Sequence, residues 1–294
     1  MPHLSGGFGF EESWLRKGLK EFIADNTIFS NNSLGKAQLL LGLGTQQIKD
    51  LKDWLIATNL LRNVQKIPVI SAIGEIFYKY DKEFSEDGTF WVIHNYLSLN
   101  GDIKENRVWF YYWYINEFTI DKFSREDFYN GIKLLQNTSD KIINTFFILP
   151  LLQTMRKTRL GKSFGIMIED NQNQFRRIEP PEDKLDPIIV AFITMEWAKK
   201  NNRSSANLLE LTNLKCSPGK ILHLSSRKYS EYLDKIQAMF NKEVLWVSYT
   251  AGLNSVAFEK DLDPLNILKA YYIKKRNEIS PLEAYQKAKE DFLK

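Results

Sequence analysis

Residues 45–52 carry Thr45, Gln46, Gln47, Lys49 and Lys52 within two turns of one short segment. Glutamine offers paired hydrogen bonds to an adenine edge, and lysine reaches guanine or phosphate, when a helix brings them into a major groove. Arg62 and Lys66 form a second basic group beside Pro68. "MRKTRLGKSFG" then collects Arg156, Lys157, Arg159 and Lys162 with no acid among them, a composition suited to tracking phosphates. Arg227 and Lys228 open a long amphipathic segment, where cations oppose the helix dipole and so point to a ligand. The same charges also suit an ordinary solvated surface. The glycines around Ser163 match neither a phosphate loop nor a dinucleotide fingerprint. A single cysteine, Cys216, excludes an internal disulfide, and His3, His94 and His223 lie too far apart for zinc-ligand spacing.

The elements that position these groups follow from apolar periodicity. Leu15, Leu19, Phe22 and Ile23 predict a helix over 11–24. A second begins after Asn32 or Ser33 and runs through Ala37, Leu40 and Leu41 to Gly42; a third is capped by Thr45, with Ile48, Leu51 and Leu55 inward. Its outer face carries Gln46, Gln47, Lys49, Asp50, Lys52 and Asp53. Leu60 to Arg62 and Val69 to Tyr80 read as two strands around the basic tip, and three helices followed by a hairpin describe a winged helix. "TFWVIHNYLSL" (89–99) and "RVWFYYWYINEF" (107–118) read as two buried helices, an aromatic hub in which His94 is a hydrogen-bonded core residue. Stacked aromatics there also suit unpaired bases.

The polar stretch "IEDNQNQFRRIEPPEDKLD", with Pro180 and Pro181, marks a linker. Beyond it the first pattern recurs. Helices are predicted over Pro187–Lys199 and Ser204–Leu211, then "CSPGKILHL" as a turn, a long helix capped by Ser225 or Ser226 and ending at Phe240, and strands Val244–Thr250 and Ser255–Glu259 around Gly252. The expected fold is α+β, mostly α, with tandem winged-helix-like domains at 1–84 and 179–294 around a hub at 85–178 that carries the basic loop.

The chain has 44% apolar and 26% charged residues, as folded soluble proteins do, and its 294 residues allow one to three domains. No apolar run approaches the ~20 residues of a membrane helix, and the first residues lack signal-peptide regions. A cytoplasmic protein without membrane contact is expected. With 40 basic against 36 acidic side chains the net charge is only +4, so a polyanion partner rests on where charge clusters.

"SWLRKGL", "LGLGTQQIKDLKDWLIATNLL", "TFWVIHNYLSL" with "WFYYWYINEF", and "SPGKILHLS" with "SYTAGL" occur in this order over residues 5–260. In this the chain resembles a bacterial domain-of-unknown-function family found beside DNA phosphorothioation operons. The resemblance implies a DNA-nicking component of a single-strand phosphorothioation anti-phage defence system. It also implies partners: double-stranded DNA, a cysteine desulfurase, an ATP-pyrophosphatase-like sulfur-transfer enzyme and an ATPase. Many relatives carry a His-Glu pair before the tryptophan, whereas this chain reads "GGFGFEESW" with no histidine there. Glu11, Glu12 and Lys17, with Arg16 beside them, become catalytic or DNA-contacting candidates because they lie in this matching segment and a carboxylate can hold Mg²⁺ or Mn²⁺. Acids in a first helical turn also simply suit the dipole. A non-catalytic DNA-binding adaptor and a winged-helix transcriptional regulator are the alternatives, and a homodimer is a natural arrangement for a duplex reader.

Overall fold

The computed structural model describes residues 2–135, 138–170, 174–250 and 253–291. The chain divides into two units, Met1–Ile178 and Glu179–Lys294. It is α+β and mostly helical, as its composition and periodicity predict.

The first unit opens with α1 (Glu12–Ala24), α2 (Leu34–Leu41) and α3 (Thr45–Ala57). Leu15, Leu19 and Phe22 bury one face of α1 against α3, and α2 stops at Gly42, whose φ of 68° is left-handed. Leu39 and Leu40 are exposed, and only Ala37 and Leu41 of α2 are buried. A tight antiparallel hairpin follows, β1 (Leu61–Val64) with β2 (Ile67–Ile70). The strand expected over Val69–Tyr80 ends at Ile70, because Ser71 caps a helix instead. Its Oγ accepts from the Gly74 N–H at 3.0 Å, and Ile73, Ile76, Phe77 and Tyr80 form the inner face of α4 (Ala72–Tyr80) at helical spacing.

The aromatic segments form α5 (Asp87–Leu97) and α6 (Trp109–Asn116). Nearly every side chain of both is buried, Trp91 stacks on Phe164 with centroids 4.4 Å apart, and Tyr111 Oη lies 2.8 Å from His94 Nδ1. These rings are core, as is His94, and they offer no face to unpaired bases. After α6 come β3 (Lys122–Ser124), α7 (Arg125–Leu135), then α8 (Asp140–Ile143) and α9 (Leu149–Lys157) joined by a π-helical turn at Asn144–Ile148, and finally β4 (Ile168–Glu169) and β5 (Gln174–Arg176). The sheet order is β3-β5-β4, all antiparallel.

The second unit repeats that path. α10 (Pro187–Lys200) leads into β6 (Ser205–Asn207), α11 (Leu208–Asn213), α12 (Pro218–Ile221), α13 (Ser226–Met239), β7 (Leu245–Thr250) and β8 (Leu253–Phe258), in sheet order β6-β8-β7. α14 (Pro264–Asn277) packs on α10 and α15 (Pro281–Glu290). Two expectations are corrected here. Residues 205–207 are a strand before a six-residue helix, and Pro218 to Ile221 is a helical turn with proline at its start. Ser225 is the cap of α13. The expected Gly252 turn lies outside the described residues. No helix among the described residues is long and apolar enough to cross a membrane.

Candidate nucleic-acid interface

α3 is built differently from the sequence expectation at its start and on one face. Gly44, not Thr45, is the N-cap, and the Gln47 Oε1 accepts the Gly44 N–H at 2.8 Å. Gln47 therefore spends its acceptor on the helix, and Thr45 Oγ1 accepts from Gln38 Nε2 at 3.4 Å. Gln46 and Lys49 are exposed and Lys52 is half-buried. Asp50, expected outside, is wholly buried. Its carboxylate accepts N–H groups from Ser5 (2.6 Å), Gly6 (3.0 Å) and Phe8 (2.9 Å), which satisfies a charge that is otherwise costly to bury. Burial raises its pKa against these hydrogen bonds. Asp53 is likewise raised by burial, and Arg107 grips it at 3.0 Å.

The segment that Asp50 holds, residues 3–10, lies on the helix pair α8–α9 with its other side. His3 stacks on Phe146, and the Gly9 N–H donates to Gln153 Oε1 at 2.9 Å. A Cβ on Gly7, whose φ is +71°, would sit 2.2 Å from the Thr145 carbonyl oxygen, and one on Gly9 would sit 2.3 Å from that of Pro150. Only glycine allows this approach. Trp54 Nε1 donates to the Phe8 carbonyl at 2.8 Å, and Phe10 packs edge-on against its ring.

The ion pairs sort the basic candidates into two groups. Among the described residues Lys17, Lys49, Lys52, Arg62, Lys66 and Lys162 make no ion pair with a carboxylate, and Lys52 acts on Asp53 only through its field. The others are spent. Arg156 makes a two-pronged pair with Glu169, at 2.6 Å on each prong, and that pairing lowers the Glu169 pKa. Lys157 pairs with Glu11. Arg159 is bound by Glu12 (3.0 Å) and Asp87 (2.9 Å), with its guanidinium 4.4 Å from the Phe90 ring centre. Arg16 pairs with Glu83. In the second unit Lys228 pairs with Glu182 and Glu231, and Arg227 with Glu231 at 3.3 Å.

Three of the four cations in the loop that looked acid-free along the chain, Arg156, Lys157 and Arg159, are thus paired in space, and two of their partners are the carboxylates singled out as catalytic candidates. Glu11 and Glu12 turn to different cations, and Lys17 makes no ion pair with either. Among the described residues no group of three or more His, Cys, Asp or Glu side chains converges to hold a metal ion. Mg²⁺ or Mn²⁺ on Glu12 has to displace Arg159, which holds both of its oxygens, and on Glu11 it has to sit beside the Lys157 ammonium, so these residues do not fit a resident metal.

The residues that sequence reasoning missed are Asp50 and the glycine segment it binds. The spacing of Gly6, Gly7 and Gly9 is the available signal, because clustered glycines mark close backbone approach. Nothing in a helical window distinguishes a buried aspartate from an exposed one.

Comparison with curated proteins found no match. Among solved structures the chain is similar to a crystal structure of magnesium ion-bound SspB, with a TM-score of 0.73 at 17% identity, covering 98% of this chain and 96% of that one. A second SspB crystal structure gives the same TM-score at 16% identity, over 99% and 94% of the two chains. At such identity the likeness is one of fold. The family described as "Protein of unknown function (DUF4007)" matches residues 6–146 and 162–272, and the chain belongs to that family.

Proposed function

We propose that this protein binds duplex DNA through α3 and the β1–β2 hairpin, as an SspB-like component of a phosphorothioate modification and anti-phage defence system. The observation that carries the reading is the sorting of charge. Lys49, Lys52, Arg62 and Lys66 make no ion pair on two consecutive elements, Lys52 acting on Asp53 only through its field, while Arg156, Lys157 and Arg159 of the basic loop and both cations at the start of α13 are paired. Uncompensated cations are what displaces counterions from phosphates. α1 to α3 with the hairpin read as a winged helix, and the two matching paths from α6 to β5 and from α10 to β8 read as two more. In such folds a helix enters the major groove and the hairpin flanks it. Cysteine desulfurase, sulfur-transfer enzyme and ATPase partners belong to this proposal through the family resemblance.

The magnesium ion in one SspB structure favours a second reading, metal-dependent strand nicking. Glu11 and Glu12 are not its ligands on this reading, since both hold cations. One experiment separates the readings. Purified protein is titrated onto labelled duplex and, in parallel, incubated with supercoiled plasmid and Mg²⁺ or Mn²⁺. Binding with intact plasmid supports a non-catalytic adaptor, conversion to relaxed circle supports the nickase, and no binding in dilute salt refutes the DNA reading.

A further inference from the structure

The β1–β2 hairpin exposes apolar side chains beside its cations. Its register pairs Leu61 with Ile70, Arg62 with Val69, Asn63 with Pro68 and Val64 with Ile67. Side chains alternate across a strand, so Leu61 and Ile70 share a face with Asn63 and Pro68, and Arg62, Val64, Ile67 and Val69 share the other. Leu61 is wholly buried at the base, and exposure rises toward the tip on both faces, with Asn63 exposed and Pro68, Val69 and Ile70 half-buried. On the face of Arg62, near the tip, Val64 is 42% and Ile67 64% exposed, with Arg62 toward the base and Lys66 in the turn.

The hairpin is also held stiffly. Gln65 and Lys66 form a two-residue turn with φ of +50° and +68°, the mirror-image geometry that matches strand twist. Neither residue is the asparagine or glycine that adopts this conformation without strain, so two long polar side chains are kept at the tip against local preference. At the base, Ser71 donates its hydroxyl to the Asn59 carbonyl and its N–H to that of Leu60.

A narrow two-stranded element with two exposed apolar side chains between cations that make no ion pair is complementary to one surface of DNA. The walls of the minor groove are apolar sugar edges, and its rims are phosphates. Accordingly we propose, resting on the duplex-binding reading above, that the hairpin inserts into the minor groove, with Val64 and Ile67 against the sugars and Arg62 and Lys66 on the flanking phosphates.

The test uses the full chain and a labelled A·T-rich duplex, with netropsin as a minor-groove competitor. Netropsin is expected to weaken wild-type binding. The double variant Val64→Thr with Ile67→Thr, which keeps strand-forming residues at exposed positions, is expected to lose about tenfold in affinity. It should become insensitive to netropsin with its salt dependence unchanged. Lys66→Ala should instead reduce the slope of log affinity against log salt by about 0.9. Wild-type binding indifferent to netropsin, or a folded double variant that binds like wild type, overturns the insertion while leaving duplex binding in place. A double variant whose only change is lost self-association in sedimentation assigns the face to a second copy and also overturns it. Failure of the wild type to bind duplex defeats the underlying reading.

Discussion

Salt dependence is where the charge sorting meets measurement. If Lys49, Lys52, Arg62 and Lys66 each neutralise one phosphate, log affinity falls against log salt with a slope of about −3.6. Raising salt from about 50 to about 200 mM then weakens binding roughly 150-fold. Had all the basic residues prominent in the sequence made phosphate contacts, the slope would approach about −10 and the same change would cost about a millionfold. Replacing Arg62 and Lys66 together by alanine should halve the slope to about −1.8, so that the same salt step costs only about 12-fold. Arg156→Gln should leave the slope untouched, because Glu169 already holds that guanidinium. Fluorescence anisotropy on a short duplex across a salt series reads all three slopes. A wild-type slope near the larger value, or a slope that Arg156→Gln reduces, would refute the reasoning, since it means the ion pairs of the basic loop open to meet DNA.

Asp50→Asn turns an acceptor into a donor facing the N–H groups of residues 5–8. It should cost about 3 kcal/mol, or roughly 6–12 °C in the melting temperature of a unit this size. Because burial raises the Asp50 pKa, the folded state takes up a proton at a pH where the unfolded chain has none. The stability gap between wild type and this variant should therefore widen as pH falls through that raised pKa toward the ordinary carboxylate value; urea melts across that range that show it narrowing reverse the sign. Glu11→Gln and Glu12→Gln should each cost no more than about 1 kcal/mol and leave any nicking at its wild-type rate, and a tenfold loss of nicking with normal melting would restore them as catalytic. Gln47→Ala should lower the melting temperature through its lost cap, by about 1 kcal/mol, whereas Gln46→Ala should leave melting alone and blunt discrimination between duplex sequences. Gln65→Asn with Lys66→Gly should stabilise the hairpin by about 1 kcal/mol while weakening DNA binding, and tighter binding would show that the tip makes no contact.

The helices of both ends were legible because Leu15, Leu19 and Phe22, or Tyr229, Leu233 and Ile236, mark a buried stripe at helical spacing. The repeated path from α6 to β5 was not, since its strands are two or three residues long and carry no alternation that a window can detect. The apolar run after Val69 misled for a related reason. Ile70 belongs to a strand and Ile73 to a helix, with Ser71 the only switch between them. The site was least legible where it depends on charge. Arg159 meets Glu12 across 147 positions and Lys157 meets Glu11 across 146, so a cluster that is acid-free along the chain is largely paired in the folded molecule. Composition near a residue says little about the field at that residue when its partners arrive from the other end of the unit.

The glycine-bearing segment at residues 3–10 also sets an order of events during synthesis. Asp50 and Trp54 become available to it within the first fifty or so residues, but the Gln153 that receives the Gly9 N–H lies 144 positions beyond that glycine. At about 5–20 residues per second, the ribosome needs about 7–30 s to supply that second side. For that interval His3 lacks Phe146, and Gly7 and Gly9 lack the carbonyl wall they are shaped to approach. The first three helices can assemble early, yet the unit cannot close until α9 has emerged. Nascent chains arrested before residue 140 should accordingly remain open to protease at the segment preceding α1, and chains arrested well beyond residue 157 should not.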